Sequence, residues 1–167
     1  VVTPAQGGSL RLYISSNTRK KTKRFQNLIN EEKKTKLNSF ETSKIYRNNV
    51  DRISNKLRNI ILNLIKNKKT VAGYGAAAKG MTILRCSGIN GKHLKYFVDD
   101  SIAKQGKYSP VDHIPIISRK KAEKNLPDYF IILAPNYAKF IIKKEKKFLS
   151  NGGKFIIPVG DIDIIEN

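Results

Sequence analysis

Residues 69–80, Lys-Thr-Val-Ala-Gly-Tyr-Gly-Ala-Ala-Ala-Lys-Gly, constrain the fold more than any other stretch of the chain. A short apolar run, Val71-Ala72, ends in Gly73-Tyr74-Gly75, and a helix start rich in small residues follows at once. A parallel strand hands over to a helix in this way, leaving the first helical N–H groups open to a phosphate. On this reading Gly73 allows the tight turn, Gly75 lets a ligand approach the backbone, and Ala78 keeps helix and sheet close. A glycine pair alone is a weak signal. Asp99, however, lies 26 residues past Gly73, at the end of the run Leu94-Lys95-Tyr96-Phe97-Val98. That is near where a dinucleotide-binding fold places its ribose-binding acid.

The segments around this motif alternate. Residues 7–14 read as a short strand, with Leu10, Leu12 and Ile14 on one side and Arg11 and Tyr13 on the other. Residues 15–40 are polar and lysine-rich, a linker with at most a short amphipathic helix around Phe25, Leu28 and Ile29. Over 41–67, Tyr46, Val50, Ile53, Leu57, Ile60 and Leu64 recur at spacings of three and four, widened by Ile61 and Ile65. This is a long amphipathic helix, better placed against a sheet than in a coiled coil because it holds only about three heptads. A strand at 70–73, a helix at 77–86 closed by Ser87-Gly88, and a strand at 94–98 come next. Pro115 makes the segment 114–117 an edge strand. A helix at 118–124, an apolar strand at 128–134, a helix from Pro135-Asn136 to 149 with Asn136 as N-cap, and a last strand at 154–158 complete the pattern. Near-continuous apolar strands alternating with helices predict an α/β fold, a Rossmann-like parallel sheet covered on both faces and preceded by the long helix.

Composition narrows the function. The 167 residues include 33 Lys and Arg against 13 Asp and Glu, a net charge of +20. Lysine outnumbers arginine about three to one and is spread from Lys20 to Lys154 without a repeating aromatic–basic pattern. That pattern argues against nucleic-acid binding and for general attraction of anionic small molecules. No stretch of roughly 18 apolar residues suggests a membrane span, and no signal peptide opens the chain, so a cytoplasmic location is expected. A start at Val1 instead of methionine suggests a piece of a longer protein. The single Cys86 excludes an internal disulfide and is expected to be a buried thiol. No His, Cys or carboxylate cluster has metal spacing, and no Ser–His–Asp set can be assembled, so neither a metal site nor catalytic residues are assigned.

A doubly wound sheet binds ligands beyond the carboxyl ends of its strands. That edge should gather Gly73, Tyr74, Gly75 and Ala76 after one strand, Asp99 after the next, and Asn136 after a third. Lys79 and Lys104 bring cations. Together they offer amides and ammonium groups for a diphosphate and a carboxylate for a ribose or sugar hydroxyl. Plainer roles stay open: the glycines as a turn, Lys79 as a solvated helix residue, Asp99 as a loop cap. Asp100, His93 and His113 read as surface or loop residues.

The motif Gly-Tyr-Gly-Ala-Ala-Ala-Lys-Gly-Met-Thr (73–82) is followed by Cys-Ser-Gly-Ile (86–89), Val-Asp-Asp-Ser (98–101) and Lys-Gln-Gly-Lys-Tyr-Ser-Pro (104–110). His-Ile-Pro-Ile (113–116), Pro-Asp-Tyr-Phe-Ile-Ile-Leu-Ala (127–134) and Gly-Gly-Lys-Phe-Ile-Ile-Pro (152–158) continue the series, and Gly-Gly-Ser-Leu-Arg (7–11) precedes it. In this order they resemble the C-terminal domain of the sugar C-methyltransferases, across almost the whole chain and most weakly over 15–40. The resemblance implies a three-part enzyme: a zinc-binding N-terminal domain, a central S-adenosylmethionine-dependent domain, and this Rossmann-like domain. It implies a nucleotide-diphosphate deoxy-keto sugar as substrate, methylated beside the ketone after a base removes the α-proton. It also places the S-adenosylmethionine site and the catalytic residues in the central domain, with residues 1–14 as the end of that domain. Gln6 stands where the family usually has histidine. The part expected of this chain is to help hold the nucleotide-sugar. A stand-alone NAD(P)-binding oxidoreductase domain and a basic nucleic-acid-binding module are the alternatives.

Overall fold

The computed structural model describes residues 1–3, 8–110 and 112–167, in two compact units, Val1–Asn49 and Val50–Asn167. In the first unit, β1 (Val2–Thr3) pairs antiparallel with β2 (Ser9–Leu10). The strand expected over 7–14 is therefore shorter, since Leu12, Tyr13 and Ile14 are exposed and have no sheet to pack on. Gln6 and Gly7 lie outside the described residues. Helix α1 (Lys23–Lys34) is capped by Thr22, whose Oγ1 accepts the Phe25 N–H at 3.2 Å, and it buries no residue. Its lysines in the last turn suit the negative end of the helix dipole.

Helix α2 (Phe40–Lys66) begins in this unit and ends in the next. Its buried face is Ser54, Leu57 and Ile61, flanked by half-buried Ile53, Ile60 and Leu64. Ile65, expected to widen the stripe, stays exposed. The second unit is a six-stranded sheet of β3 (Val71–Tyr74), β4 (Phe97–Val98), β5 (Ile116–Ile117), β6 (Tyr129–Ile132), β7 (Lys154–Ile157) and β8 (Asp163–Ile165), in the order β5-β4-β3-β6-β7-β8. All neighbours are parallel except β7 and β8. The antiparallel β8 was not expected, because only Ile162, Ile164 and Ile165 mark it among polar neighbours. Pro115 precedes the edge strand β5, where a missing N–H costs no ladder bond.

Each strand feeds two cores. Val71, Phe97, Ile131 and Ile156 face α2 and α3 (Ala78–Cys86), whereas Ala72, Tyr74, Phe130 and Phe155 face α5 (Ala138–Lys144) and α6 (Lys146–Ser150). This is the doubly covered parallel sheet the apolar runs predict. On α3 the inward residues are Gly80 and Leu84, followed by Ser87, so Cys86 falls off the stripe and is exposed instead of buried. Gly88, at φ +63°, ends that helix as expected. The single helix expected over 135–149 is instead a 3-10 turn (Pro135–Tyr137), then α5, then α6, separated at Glu145. Asn136 sits inside the 3-10 turn and is not an N-cap, since Pro135 already occupies the first turn.

Candidate functional site

The chain leaves β3 for β4 and β5 on one side of the sheet and returns to β6 and β7 on the other. The connections after β3 and β6 therefore part at the carboxyl edge, which is where such sheets open a ligand crevice. Gly73, Tyr74, Gly75 and Ala76 end β3 there, Asp99 ends β4, and Asn136 follows β6. The structure thus gathers these residues on one edge, but it gives several of them internal work.

Glycine is required at three points for reasons of space. A Cβ on Gly73 would lie 2.3 Å from the Phe97 ring and 2.7 Å from Leu133, so this residue sits in the strand beneath a core aromatic and does not form the turn. Gly75 makes the turn, at φ +91°, with Ala134 3.2 Å from its missing Cβ. The close approach of helix and sheet belongs to Gly80, whose Cβ would meet Leu133 Cβ at 2.4 Å. Ala78 is exposed and does not set that distance. The amides are also taken: Gly73 N–H donates to Tyr96 O at 2.9 Å and Gly75 N–H to Val98 O at 2.6 Å.

Asp99 is 9% exposed and accepts three hydrogen bonds. It accepts from the Ala76 amide at 2.7 Å, the Ser101 amide at 2.9 Å and Lys104 Nζ at 3.1 Å, while Lys104 also donates to Ala76 O at 2.9 Å. Burial by itself would raise the carboxyl pKa, but the two amides and the ammonium outweigh it and hold Asp99 below the ordinary carboxylate range. Asp99 and Lys104 form a latch that fixes the β3–α3 turn to the loop after β4. Lys79 is exposed on α3, and Asn136 is exposed after β6. Asp100 pairs with Lys144 at 2.7 Å on the surface.

Tyr74 turns away from this edge. Its side chain is 3% exposed, edge-on to Phe130 at 5.4 Å, and its hydroxyl donates to Glu145 Oε1 at 2.9 Å. Arg119, just past β5, grips the same carboxylate with Nε at 2.8 Å from Oε1 and Nη2 at 2.8 Å from Oε2. Burial, then the Glu145 carboxylate, push the Tyr74 phenol well above its usual pKa, so it stays protonated as a donor. Tyr96, likewise buried and donating to Asn125 O, is pushed up to about 12. The buried Tyr74–Glu145–Arg119 set was missed by the sequence reading. Its signal was present as the lone carboxylate in Lys143-Lys144-Glu145-Lys146-Lys147.

Beside the latch lies a cleft of about 280 Å³ between Ala76 and Met81 on one side and the 103–110 loop on the other. Lys104, Lys107 and Tyr108 line it.

Residues 4–160 match the family model described as the C-methyltransferase C-terminal domain. The chain belongs to this family. It is also 40% identical over 115 residues to the C-methyltransferase NovU of Streptomyces niveus. That alignment covers 69% of this chain and 27% of NovU, so the chain spans about a quarter of that relative. Among the described residues no cluster of His, Cys, Asp and Glu has metal-binding geometry, and no helix is long and apolar enough to cross a membrane.

Proposed function

We propose that this chain is the C-terminal domain of an S-adenosylmethionine-dependent C-methyltransferase acting on nucleotide-linked deoxy-keto sugars, and that it helps hold the nucleotide-sugar. In this reading residues 1–14 join it to the methyltransferase domain, and the full protein works in the cytoplasm. The observation that carries the reading is the family's glycine turn standing at the topological switch point beside a cationic cleft. Such an edge suits an anionic diphosphate.

S-adenosylmethionine does not suit this edge. Its sulfonium and ammonium cations would face Lys104 and Lys107, and the buried acid there, Asp99, is already paired with Lys104 and two amides. No step of methyl transfer is assigned to these residues, and the cofactor belongs to the methyltransferase domain. The same engagement disfavours the dinucleotide reading, because Asp99 holds the position of the ribose acid yet gives its oxygens to Ala76, Ser101 and Lys104. Calorimetric titration of the chain with a deoxynucleoside-diphosphate sugar, NAD and S-adenosylmethionine tests this. Saturable binding of the nucleotide-sugar alone is expected. Binding of NAD in its place would sink the proposal.

A further inference from the structure

We propose that the open face of α5 and α6 is a docking surface for an acidic protein segment that carries an apolar anchor residue. The proposal is independent of the nucleotide-sugar reading, because none of the residues lining this surface belongs to the cleft at the carboxyl edge.

The surface is an open depression of about 750 Å³, lined by Lys139, Lys143, Lys146 and Lys147 together with Ile142 and Leu149. All four lysines are exposed, and among the described residues no carboxylate forms an ion pair with any of them. The acids on and beside these helices are engaged elsewhere. Glu145, the one carboxylate in the run 143–147, is 5% exposed and turns inward to Tyr74 and Arg119. Asp100 is taken by Lys144. Within the fold this crowding is unfavourable: Lys139 and Lys143 stand four residues apart on α5, where like charges destabilise a helix. A partner's carboxylates would replace that repulsion with charge-assisted contacts.

The composition of the lining selects among anionic partners. A nucleic acid is gripped best by arginine forks on its phosphates and aromatic rings under its bases, and the lining residues include neither. A bilayer takes up apolar side chains that protrude into its headgroup region. Here the apolar residues are recessed, with Leu149 8% exposed and Ile142 half-buried, while the lysines are exposed. Recessed apolar side chains among flexible ammonium groups fit a carboxylate-rich segment that lowers one aliphatic side chain into the depression. The apolar contact then supplies affinity, and the lysines supply steering and register.

Amide chemical shifts of the chain titrated with the end-blocked peptide Asp-Glu-Asp-Leu-Asp-Glu-Asp locate the contact, with the leucine-to-serine peptide as an isocharged probe. The expected shifts cluster at 139–150. The serine peptide should bind roughly fivefold or more weakly, as loss of a partly buried aliphatic side chain does. Lys143→Gln/Lys146→Gln should weaken the leucine peptide roughly tenfold or more through the loss of two charged contacts. The charge-matched Lys56→Gln/Lys92→Gln, at exposed positions outside the depression, should stay within about twofold. All four substituted side chains are exposed, so unchanged thermal melts of both variants are expected. Shifts scattered over lysines elsewhere, equal affinity for the two peptides, or the same loss in both double variants would overturn the proposal. So would the absence of binding at millimolar concentration. Phosphatidylserine vesicles or a single-stranded oligothymidylate that displace the peptide from these amides at lower concentration would overturn it as well, by making a membrane or a nucleic acid the occupant.

Discussion

Gly80 and Asp99 show how single residues hold this edge together. Alanine at 80 would gain about 1 kcal/mol in helix propensity. Its Cβ, however, would press on Leu133 Cβ at 2.4 Å and Leu133 O at 2.7 Å, and these atoms belong to a side-chain stem and the backbone, so they cannot swing aside. Overpacking of that kind costs about 1–3 kcal/mol. Gly80→Ala should therefore destabilise the protein by up to about 2 kcal/mol in urea unfolding, and a stabilised variant would show that α3 can move off the sheet. Asp99 predicts a pH effect. Its folded pKa lies below its unfolded value near 3.9. The stability it contributes is thus present above that unfolded value and lost as pH falls through the folded one. Asp99→Asn should lower stability at neutral pH and flatten the acid limb of the stability profile below about pH 5. Asp128 is held low as well, chiefly by the Thr70 amide, so part of the limb should remain. The glycine positions were legible in the sequence, but their roles were not. Whether a missing Cβ leaves room for a ligand, a turn or a core ring depends on which strand lies opposite, and Phe97 and Leu133 are 24 and 60 residues from Gly73. The acid at 99 was also legible by its distance from Gly73, whereas its pairing depends on Lys104 and the Ala76 and Ser101 amides reaching it.

At the level of elements, the break between α5 and α6 has a traceable cause. Glu145 leaves helical geometry at φ −100°, ψ 27°, and its carboxylate is held by Tyr74 from β3 and Arg119 from the start of α4 (Arg119–Ala122). Strand β3 and two of the helical connections are joined through a side chain that is 5% exposed. A buried ion pair of this kind adds little over an apolar replacement, yet removing one partner leaves an uncompensated charge. Glu145→Ala is expected to cost about 3–5 kcal/mol. Tyr74→Phe should cost less, about 1.5–3 kcal/mol, since Arg119 still neutralises the carboxylate. The Arg119→Met/Glu145→Leu double variant should lose much less than the two single changes added, and additivity in urea melts would refute the pairing. The elements themselves were largely readable, because strands buried on both faces must be apolar without interruption and α2 must repeat its apolar residues every three or four. What the pattern could not give was an interruption imposed from another part of the chain. Nothing in residues 135–149 announces that the helix stops at Glu145, since the reason sits at Tyr74 and Arg119. The short β8 was obscure for a related cause: an edge strand exposed on one side needs few apolar residues.

For the molecule as a whole, charge is the dominant unbalanced quantity. With 33 cationic side chains against 13 acidic ones, like-charge pairs outnumber opposite-charge pairs. On α5 and α6, Lys139, Lys143, Lys146 and Lys147 line one open depression together with Ile142 and Leu149. The ion pairs that oppose like-charge repulsion are mostly exposed, such as Arg52 with Asp161 at 3.6 Å and Lys144 with Asp100 at 2.7 Å, and pairs of that kind are worth about 0–1 kcal/mol. The buried Arg119–Glu145 pair is screened much less by salt than any of these. Self-repulsion of a highly charged chain destabilises its compact state. Raising sodium chloride from about 20 to 200 mM shortens the screening length from roughly 20 to 7 Å and removes most of it. The melting temperature should therefore rise by several degrees over that range. A fall would show that the exposed pairs outweigh the lysine excess. The same screening should weaken nucleotide-sugar binding, because the attraction that raises stability when removed is also what draws a diphosphate to the cleft. Stability and affinity are expected to move in opposite directions with salt, measured on one preparation by melting and by titration.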